Sequence, residues 1–244
     1  MASRRRLELA ALLAAVASLA ASGLAAGELD PPAAAPPPVL PAPRAVPTPP
    51  PRPVAPLPWV ARLYPLHVEN LDTRAEANLV LFRPNGSVDP RVVETFSAVS
   101  ARGEDDVWPL RARLVELAFK TAYHFRAGSL VILSAYRPHA GYHSKGAALD
   151  FQLPGVSAKK LSAWLRRLPR AGVGVYTHPR TQFVHLDVRR MSYHWLDASP
   201  PGVTWKELRL RDPSYRERDA SYTPKSDLPL VTPRPPESPH GARR

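Results

Sequence analysis

Gly141-Tyr-His-Ser-Lys-Gly-Ala-Ala-Leu-Asp150 places a histidine and an aspartate seven residues apart, at the edge of an apolar segment. A second stretch, Phe183-Val-His-Leu-Asp187, places another histidine among residues that favour a β-strand. Two imidazoles and one carboxylate on short segments are a ligand set with which a catalytic zinc keeps a fourth position open for water. The two stretches therefore favour a metal-dependent hydrolase over the classes that composition alone would suggest.

The alternation of side chains along a strand indicates how these residues could meet. In residues 182–188, His185 and Asp187 share one face and the aliphatic side chains share the other. In residues 147–152, Asp150 likewise points away from the larger apolar side chains. Two neighbouring strands could therefore present His185, Asp187 and Asp150 to one cleft. We expect the glycines at positions 172 and 174 to leave space there for a metal and a substrate.

Each of the three proposed metal ligands also has a plain structural interpretation. His143 could be a solvated loop histidine, Asp150 the partner in a turn or ion pair, and His185 a hydrogen-bonded core histidine. A carboxylate within an apolar strand needs a partner. One shared metal site accounts for all three residues at once, so it is the preferred hypothesis.

The pattern of the central region predicts an α+β domain. Strands are expected at residues 66–71, 78–82, 129–135, 147–152, 172–176 and 182–188, and helices at 90–98, 106–125 and 157–168. Strands and helices are mixed without regular alternation. This indicates a mainly antiparallel sheet with flanking helices and a zinc cleft on one sheet face.

The ends of the chain differ in composition from this domain. Residues 1–26 have a basic start, an apolar stretch and small residues, which indicates a signal peptide, or a membrane anchor if it is not cleaved. Residues 27–59 form a Pro/Ala-rich linker, since 14 prolines fall between Pro31 and Pro58. The domain is expected at 60–198. Residues 199–244 are expected to be a basic, Pro-rich and partly disordered tail.

The charge and the absence of cysteine limit the partners. There is no cysteine, so neither a disulfide framework nor a lipoprotein attachment site is possible. The net charge is +12. A basic exported protein would favour anionic envelope polymers or lipid surfaces. Nucleic acid is not expected as a partner, because the basic residues are scattered and no binding motif occurs.

Three motifs together carry a family resemblance. They are Ser134-Ala-Tyr-Arg137, then His143-x-x-Gly146-x-Ala148-x-Asp150, then Val184-His185-x-Asp187. This set resembles the zinc D-alanyl-D-alanine peptidase superfamily, which includes lysostaphin-type peptidases and the hedgehog signalling domain, and above all its murein endopeptidase K-like branch. The similarity extends from about Leu66 to Trp195.

The resemblance implies residue roles and a substrate. His143, Asp150 and His185 would be ligands of a zinc cofactor, and Arg137 would contact the substrate or a developing oxyanion, although an ion pair is its structural alternative. Tyr136 and His194 would be further substrate contacts. Members of the family would cleave bonds in the stem or cross-bridge peptides of bacterial peptidoglycan.

The sequence departs from the family pattern in ways that affect the mechanism. Gly141 replaces a common serine, and the segment between Arg137 and His143 is short. Many relatives carry a glutamate as general base three residues before the last ligand, but this chain has Gln182, which cannot accept a proton. Asp187 could replace that base, or it could be a partner that orients an imidazole; both roles remain open.

The sequence analysis therefore predicts an exported, zinc-dependent peptidase of peptidoglycan, either an endopeptidase or a carboxypeptidase. The alternative is a non-catalytic peptidoglycan-binding module that keeps the fold, with or without the metal, and Gln182 is its best support. The mature chain is expected to begin between about Ser22 and Glu28, where small residues cluster.

Overall fold

The computed structural model describes residues 55–103, 106–203 and 207–227. The predicted signal or anchor, most of the predicted linker and the last part of the tail lie outside the described residues. Within them, no helix is both long enough and apolar enough to cross a membrane.

Eight strands form a single sheet. In chain order they are β1 (Leu66–Asn70), β2 (Glu76–Leu79), β3 (Ser129–Ser134), β4 (Ala148–Gln152), β5 (Ala171–Tyr176), β6 (Val184–Val188), β7 (Tyr193–Asp197) and β8 (Leu208–Arg209). Their spatial order is β2-β1-β3-β4-β6-β5-β7-β8. The pairs β1–β3 and β5–β7 are parallel, and the other neighbours are antiparallel.

The predicted α+β class is confirmed, but the sheet is mixed rather than mainly antiparallel. Two helices intervene between β2 and β3 and return the chain to lie along β1 in the same direction. After the β5–β6 hairpin the chain crosses to the other side of β5, so β7 runs parallel to it. Local sequence patterns do not specify such partner choices, since they depend on non-local pairing.

Four helices accompany the sheet: α1 (Pro90–Val99), α2 (Ala112–His124), α3 (Ala158–Leu165) and α4 (Tyr215–Ala220). Asp89 caps α1 by accepting a hydrogen bond from the Arg91 backbone, as the Asp-Pro pair predicts. α3 lies against β5 and β6, α2 lies against β6, and both helices bury apolar side chains in the core. These helices leave the opposite face of the central strands for polar residues.

α2 begins six residues later than the predicted helix of residues 106–125. Pro109 has no N–H to donate, and the next two backbone N–H groups are bonded outside the helix. Leu110 donates to the Ser97 hydroxyl and Arg111 donates to the Gly146 carbonyl at 2.8 Å. The segment before α2 therefore braces the turn that carries His143.

Part of the predicted tail packs on the domain beyond the boundary expected at residue 198. The buried Asp219 carboxylate accepts hydrogen bonds from the backbone N–H groups of Arg170 and Ser192. The buried Asp227 carboxylate pairs with Arg113 on α2, with Nε and Oδ2 2.6 Å apart. Residues 207–227 thus contribute two buried carboxylates, which bond to groups on α2 and next to the first residues of β5 and β7.

The Arg113–Asp227 ion pair should contribute measurably to stability. We expect Asp227→Ala to lower the free energy of unfolding by about 3 kcal/mol, because it leaves a largely buried guanidinium without its carboxylate. Lys225→Ala, at an exposed position of the same segment, should change it by less than about 0.5 kcal/mol. Urea unfolding of the full chain measures both. An effect of Asp227→Ala as small as that expected for Lys225→Ala would show that the ion pair does not stabilise the domain.

Candidate metal centre

His143, Asp150 and His185 converge at one buried point. Asp150 on β4 lies directly opposite His185 on β6, and His143 lies in a short 3₁₀ turn just before β4. One ligand atom from each lies within 4.8 Å of the others. His185 Nδ1 is 2.8 Å from Asp150 Oδ1, and His143 Nε2 is 3.5 Å from Asp150 Oδ2. The structure thus brings together the three residues that the sequence proposed.

The outer nitrogen of each imidazole is held by the protein, which turns the inner nitrogens towards each other. His143 Nδ1 bonds to the Ala135 carbonyl oxygen, and His185 Nε2 lies 3.1 Å from Asp187 Oδ2. His143 Nε2 and His185 Nδ1 then face each other at 3.2 Å. Two imidazole nitrogens directed at one point beside a carboxylate form an arrangement that fits a zinc ion.

The register of the sheet confirms the predicted faces of β4 and β6. Asp150, His185, Gly174 and Trp195 are paired across four strands and share the metal-binding face. The next row contains Leu186, Val173 and His194 and faces the core. The Trp195 ring lies 5.0 Å from the His185 ring. Trp195 is therefore the β7 side chain that contacts the centre.

His194, expected to contact substrate, lies on the other side of the sheet. It is buried near Asp212, with 3.5 Å between His194 Nδ1 and Asp212 Oδ2. Burial, together with the positive charge of Arg166, lowers the pKa of His194 to about 4. The structure does not bring His194 to the metal centre. Side chains alternate along β7, and its neighbour Trp195 already faces the centre.

Asp187 is fully buried behind His185. Arg189 grips this carboxylate: its Nε donates to Asp187 Oδ1 at 2.6 Å, and its terminal nitrogen bonds to Oδ2. Gly172 leaves the space that this carboxylate and guanidinium occupy, since an added Cβ at Gly172 would lie 2.0 Å from Asp187 Oδ2. This corrects the expectation that Gly172 leaves room for substrate. Sequence analysis missed Arg189, although its position two residues after Asp187 places both on one strand face.

Arg137 lies beside the centre, and Tyr136 precedes it directly in the chain. A terminal nitrogen of Arg137 is 3.1 Å from Asp150 Oδ2, and its side chain is 38% exposed. Tyr136 stacks on Trp108, with the ring centroids 4.6 Å apart. Arg137 therefore contacts the centre through Asp150 and is also accessible to solvent.

Tyr176 is a further residue on the metal-binding face that sequence analysis did not propose for a role. Burial, aided by the nearby negative charge of Asp150, raises the pKa of Tyr176 to about 12. Its hydroxyl is therefore protonated at neutral pH and can donate a hydrogen bond. The only sequence signal was its place at the end of the glycine-rich segment 172–176.

Gln182, the residue at the position of the family's glutamate, is exposed and does not face the centre. It lies before β6 and lines a small pocket with Ser157, Lys159 and Thr177. Ser157 and Lys159 lie at the start of α3, on the face of the sheet that the helices cover, so Gln182 lies away from the metal-binding face. Replacement of a glutamate by Gln182 therefore removes no group from the metal-binding face of this structure.

Charges within the centre strongly perturb its titration. Burial alone would lower the pKa of His185, but hydrogen bonds with Asp150 and Asp187 outweigh this effect and raise the pKa to about 9. Burial would also raise the pKa values of Asp150 and Asp187. Their hydrogen bonds to the imidazoles, and to Arg189 in the case of Asp187, hold both below the usual range. The carboxylates are thus ionised and ready to act as acceptors.

Comparison with known proteins supports the resemblance. Residues 134–195 match the model of the family described as Peptidoglycan L,D-endopeptidase MepK. This segment contains Arg137, the three converging residues and Asp187, and it confirms the resemblance that the motifs indicated. No curated protein and no solved structure matches the chain.

Zinc binding should depend on pH because His185 must lose a proton to act as a ligand. In the metal-free protein, its raised pKa favours the folded state below the ordinary histidine pKa, and this contribution is lost as pH rises through about 9. We expect apparent zinc affinity to rise about tenfold per pH unit from pH 7 towards 9, with about one proton released per ion. Competition with a chromogenic chelator measures it.

Two substitutions serve as comparisons for this titration. His185→Ala should lose most of the zinc affinity, whereas His67→Gln, on β1, should retain both the affinity and its pH dependence. An affinity that stays flat between pH 7 and 9 in the wild-type protein would contradict the proposed ionisation of His185.

Proposed function

We propose that this protein is a zinc-dependent peptidase that cleaves peptide bonds in bacterial peptidoglycan. The observation that carries the proposal is the convergence of two buried imidazoles and one carboxylate within the segment that matches a peptidoglycan endopeptidase family. The match supports a peptidase of peptidoglycan peptides. We propose that the metal is zinc and that the activity is that of an endopeptidase or a carboxypeptidase.

The ligands would be His143 through Nε2, His185 through Nδ1, and the Asp150 carboxylate. A zinc ion in such a site supplies a Lewis acid and lowers the pKa of coordinated water to about 7. Arg137 supplies a fixed positive charge beside the same carboxylate, and its exposed guanidinium can donate to the scissile carbonyl oxygen as negative charge develops there. The Tyr176 hydroxyl can add a second hydrogen-bond donor on this face.

We assign Asp187 to orienting His185 rather than to accepting a proton from water. Both of its oxygens are bonded to Arg189, and Oδ2 also faces the outer nitrogen of His185. The side chain has no exposed surface. Asp187 therefore holds the proton on His185 Nε2 and keeps Nδ1 available as a ligand, which is how carboxylates support metal-binding histidines.

We further propose that the protein is exported and acts at the cell envelope, because its N-terminal sequence has the features of a signal peptide. The net charge of +12 supports contact with anionic envelope material. Sequencing of the mature N-terminus tests the proposal. A start between Ser22 and Glu28 is expected, and an intact Met1 in the membrane fraction would favour an anchor.

The activity is tested by digesting purified peptidoglycan with the full chain and identifying the products by mass spectrometry. We expect release of peptide fragments that depends on added zinc, is abolished by a chelator, and is lost in His185→Ala. The products identify the bond that is cut. Binding to peptidoglycan without any release would instead support the alternative, a non-catalytic wall-binding module.

Asp187→Asn separates the two roles that the sequence left open. An orienting role predicts that zinc affinity falls about ten- to a hundredfold, while turnover at saturating zinc stays within a few-fold of wild type. A general-base role predicts full zinc affinity and turnover reduced by about a hundredfold or more. Asp72→Asn, at an exposed turn, is the matched control and should change neither quantity. Metal content and turnover are measured on the same samples.

A further inference from the structure

A strongly basic pocket of about 450 Å³ lies where β5 begins and β6 ends. Six cationic side chains line it: Arg111, Arg113, Lys145, Arg170, Arg189 and Arg190. Two tyrosine rings, Tyr142 and Tyr222, form part of its wall. We call this site the basic pocket.

The cations of the basic pocket fall into a floor and a rim. On the floor, Arg113 pairs with Asp227 and Arg189 pairs with Asp187, and Arg170 stacks over the Tyr222 ring at 4.7 Å. These contacts fix the floor and neutralise part of its charge.

On the rim, Arg111, Lys145 and Arg190 are all exposed. None of the three forms an ion pair within the described part of the chain. The pocket therefore keeps a positive excess that can attract an anion.

The basic pocket is connected with the metal centre by one chain of side-chain contacts and by one pair of neighbouring residues in the sequence. The Arg189 guanidinium lies 4.5 Å from the Tyr142 ring and bonds to Asp187, which in turn contacts His185. Tyr142 immediately precedes His143 in the chain. An extended peptide with its reactive bond at the metal centre could therefore place a nearby side chain or chain end in the pocket.

We propose that the basic pocket binds a free carboxylate of an acidic peptide substrate while the peptide occupies the metal centre. This inference rests on the proposed function and specifies its substrate as a peptide with a free carboxylate near the scissile bond. Peptidoglycan stem peptides carry such carboxylates. Guanidinium groups suit this ligand because their planar donors bond to the two oxygens of a carboxylate. Because the site is a pocket, a short anionic group can enter it, whereas a flat membrane surface cannot.

Peptide binding to the metal-free full chain tests the pocket separately from cleavage. The probes are a stem peptide with free carboxylates and the same peptide with those carboxylates amidated. We expect the wild-type protein to bind the free acid about tenfold more tightly at low salt, since a few partly exposed charge contacts supply roughly this factor. The preference should shrink at higher ionic strength because exposed charges are screened.

The triple variant Arg111→Gln, Lys145→Gln and Arg190→Gln should reduce the preference to within about twofold. A matched triple variant, Arg91→Gln, Lys160→Gln and Arg167→Gln, removes the same charge from exposed sites elsewhere and should keep the preference. Equal loss in both variants, or no preference in the wild-type protein, would overturn the proposal. So would a rim variant that loses binding only to vesicles containing phosphatidylglycerol.

Cleavage of the same peptides with zinc present separates this inference from the proposed function. A rim-dependent preference in binding without any cleavage would contradict the peptidase proposal and leave the carboxylate pocket standing. Cleavage that is equally fast for the free acid and the amide, together with equal binding, would leave the peptidase standing and reject the pocket.

Discussion

The contact between Asp150 and His185 across β4 and β6 is the constraint on which the rest of the structure depends. Both side chains are buried, and burying charged groups is costly unless each has partners. The imidazole satisfies one carboxylate at its inner nitrogen and another at its outer nitrogen. The second carboxylate then needs Arg189, and the guanidinium needs the space above Gly172. The buried pair of Asp150 and His185 thus accounts for Asp187 on β6 and for Gly172 on β5.

The residues at the centre were predictable because strand alternation and close sequence spacing are local properties. His143, Asp150 and His185 follow from the motif and from the period of two along β4 and β6. His194 shows the limit of this reasoning, because β7 was not recognised as a strand and its register against β5 depends on non-local pairing. The late start of α2 has a similar cause, since Arg111 bonds to Gly146, which lies far along the chain.

The arrangement around Asp187 changes how the missing glutamate is understood. Position 182 faces away from the centre, so the chemistry of its side chain has little bearing on the metal. Asp187, the obvious replacement, already balances both Arg189 and His185 in a fully buried network. The Asp187 carboxylate therefore holds the His185 ring in position, and it is not free to accept a proton from water. In the function that we propose, the chemistry would therefore rest on a bound metal and on Arg137 and Tyr176.

The ion pair between Arg113 and Asp227 also has a consequence for how the protein assembles. Its partners are separated by 114 positions in sequence, so the contact can form only after nearly all of the described chain is available. Closing a loop of this length costs more conformational entropy than closing a short one, although the cost grows slowly with length. His143, Asp150 and His185 lie within a much shorter stretch of the chain, between residues 143 and 185. Proteolytic removal of the residues after Ala220, which include Tyr222 and Asp227, would thus loosen the floor of the basic pocket while leaving His143, Asp150 and His185 in the chain.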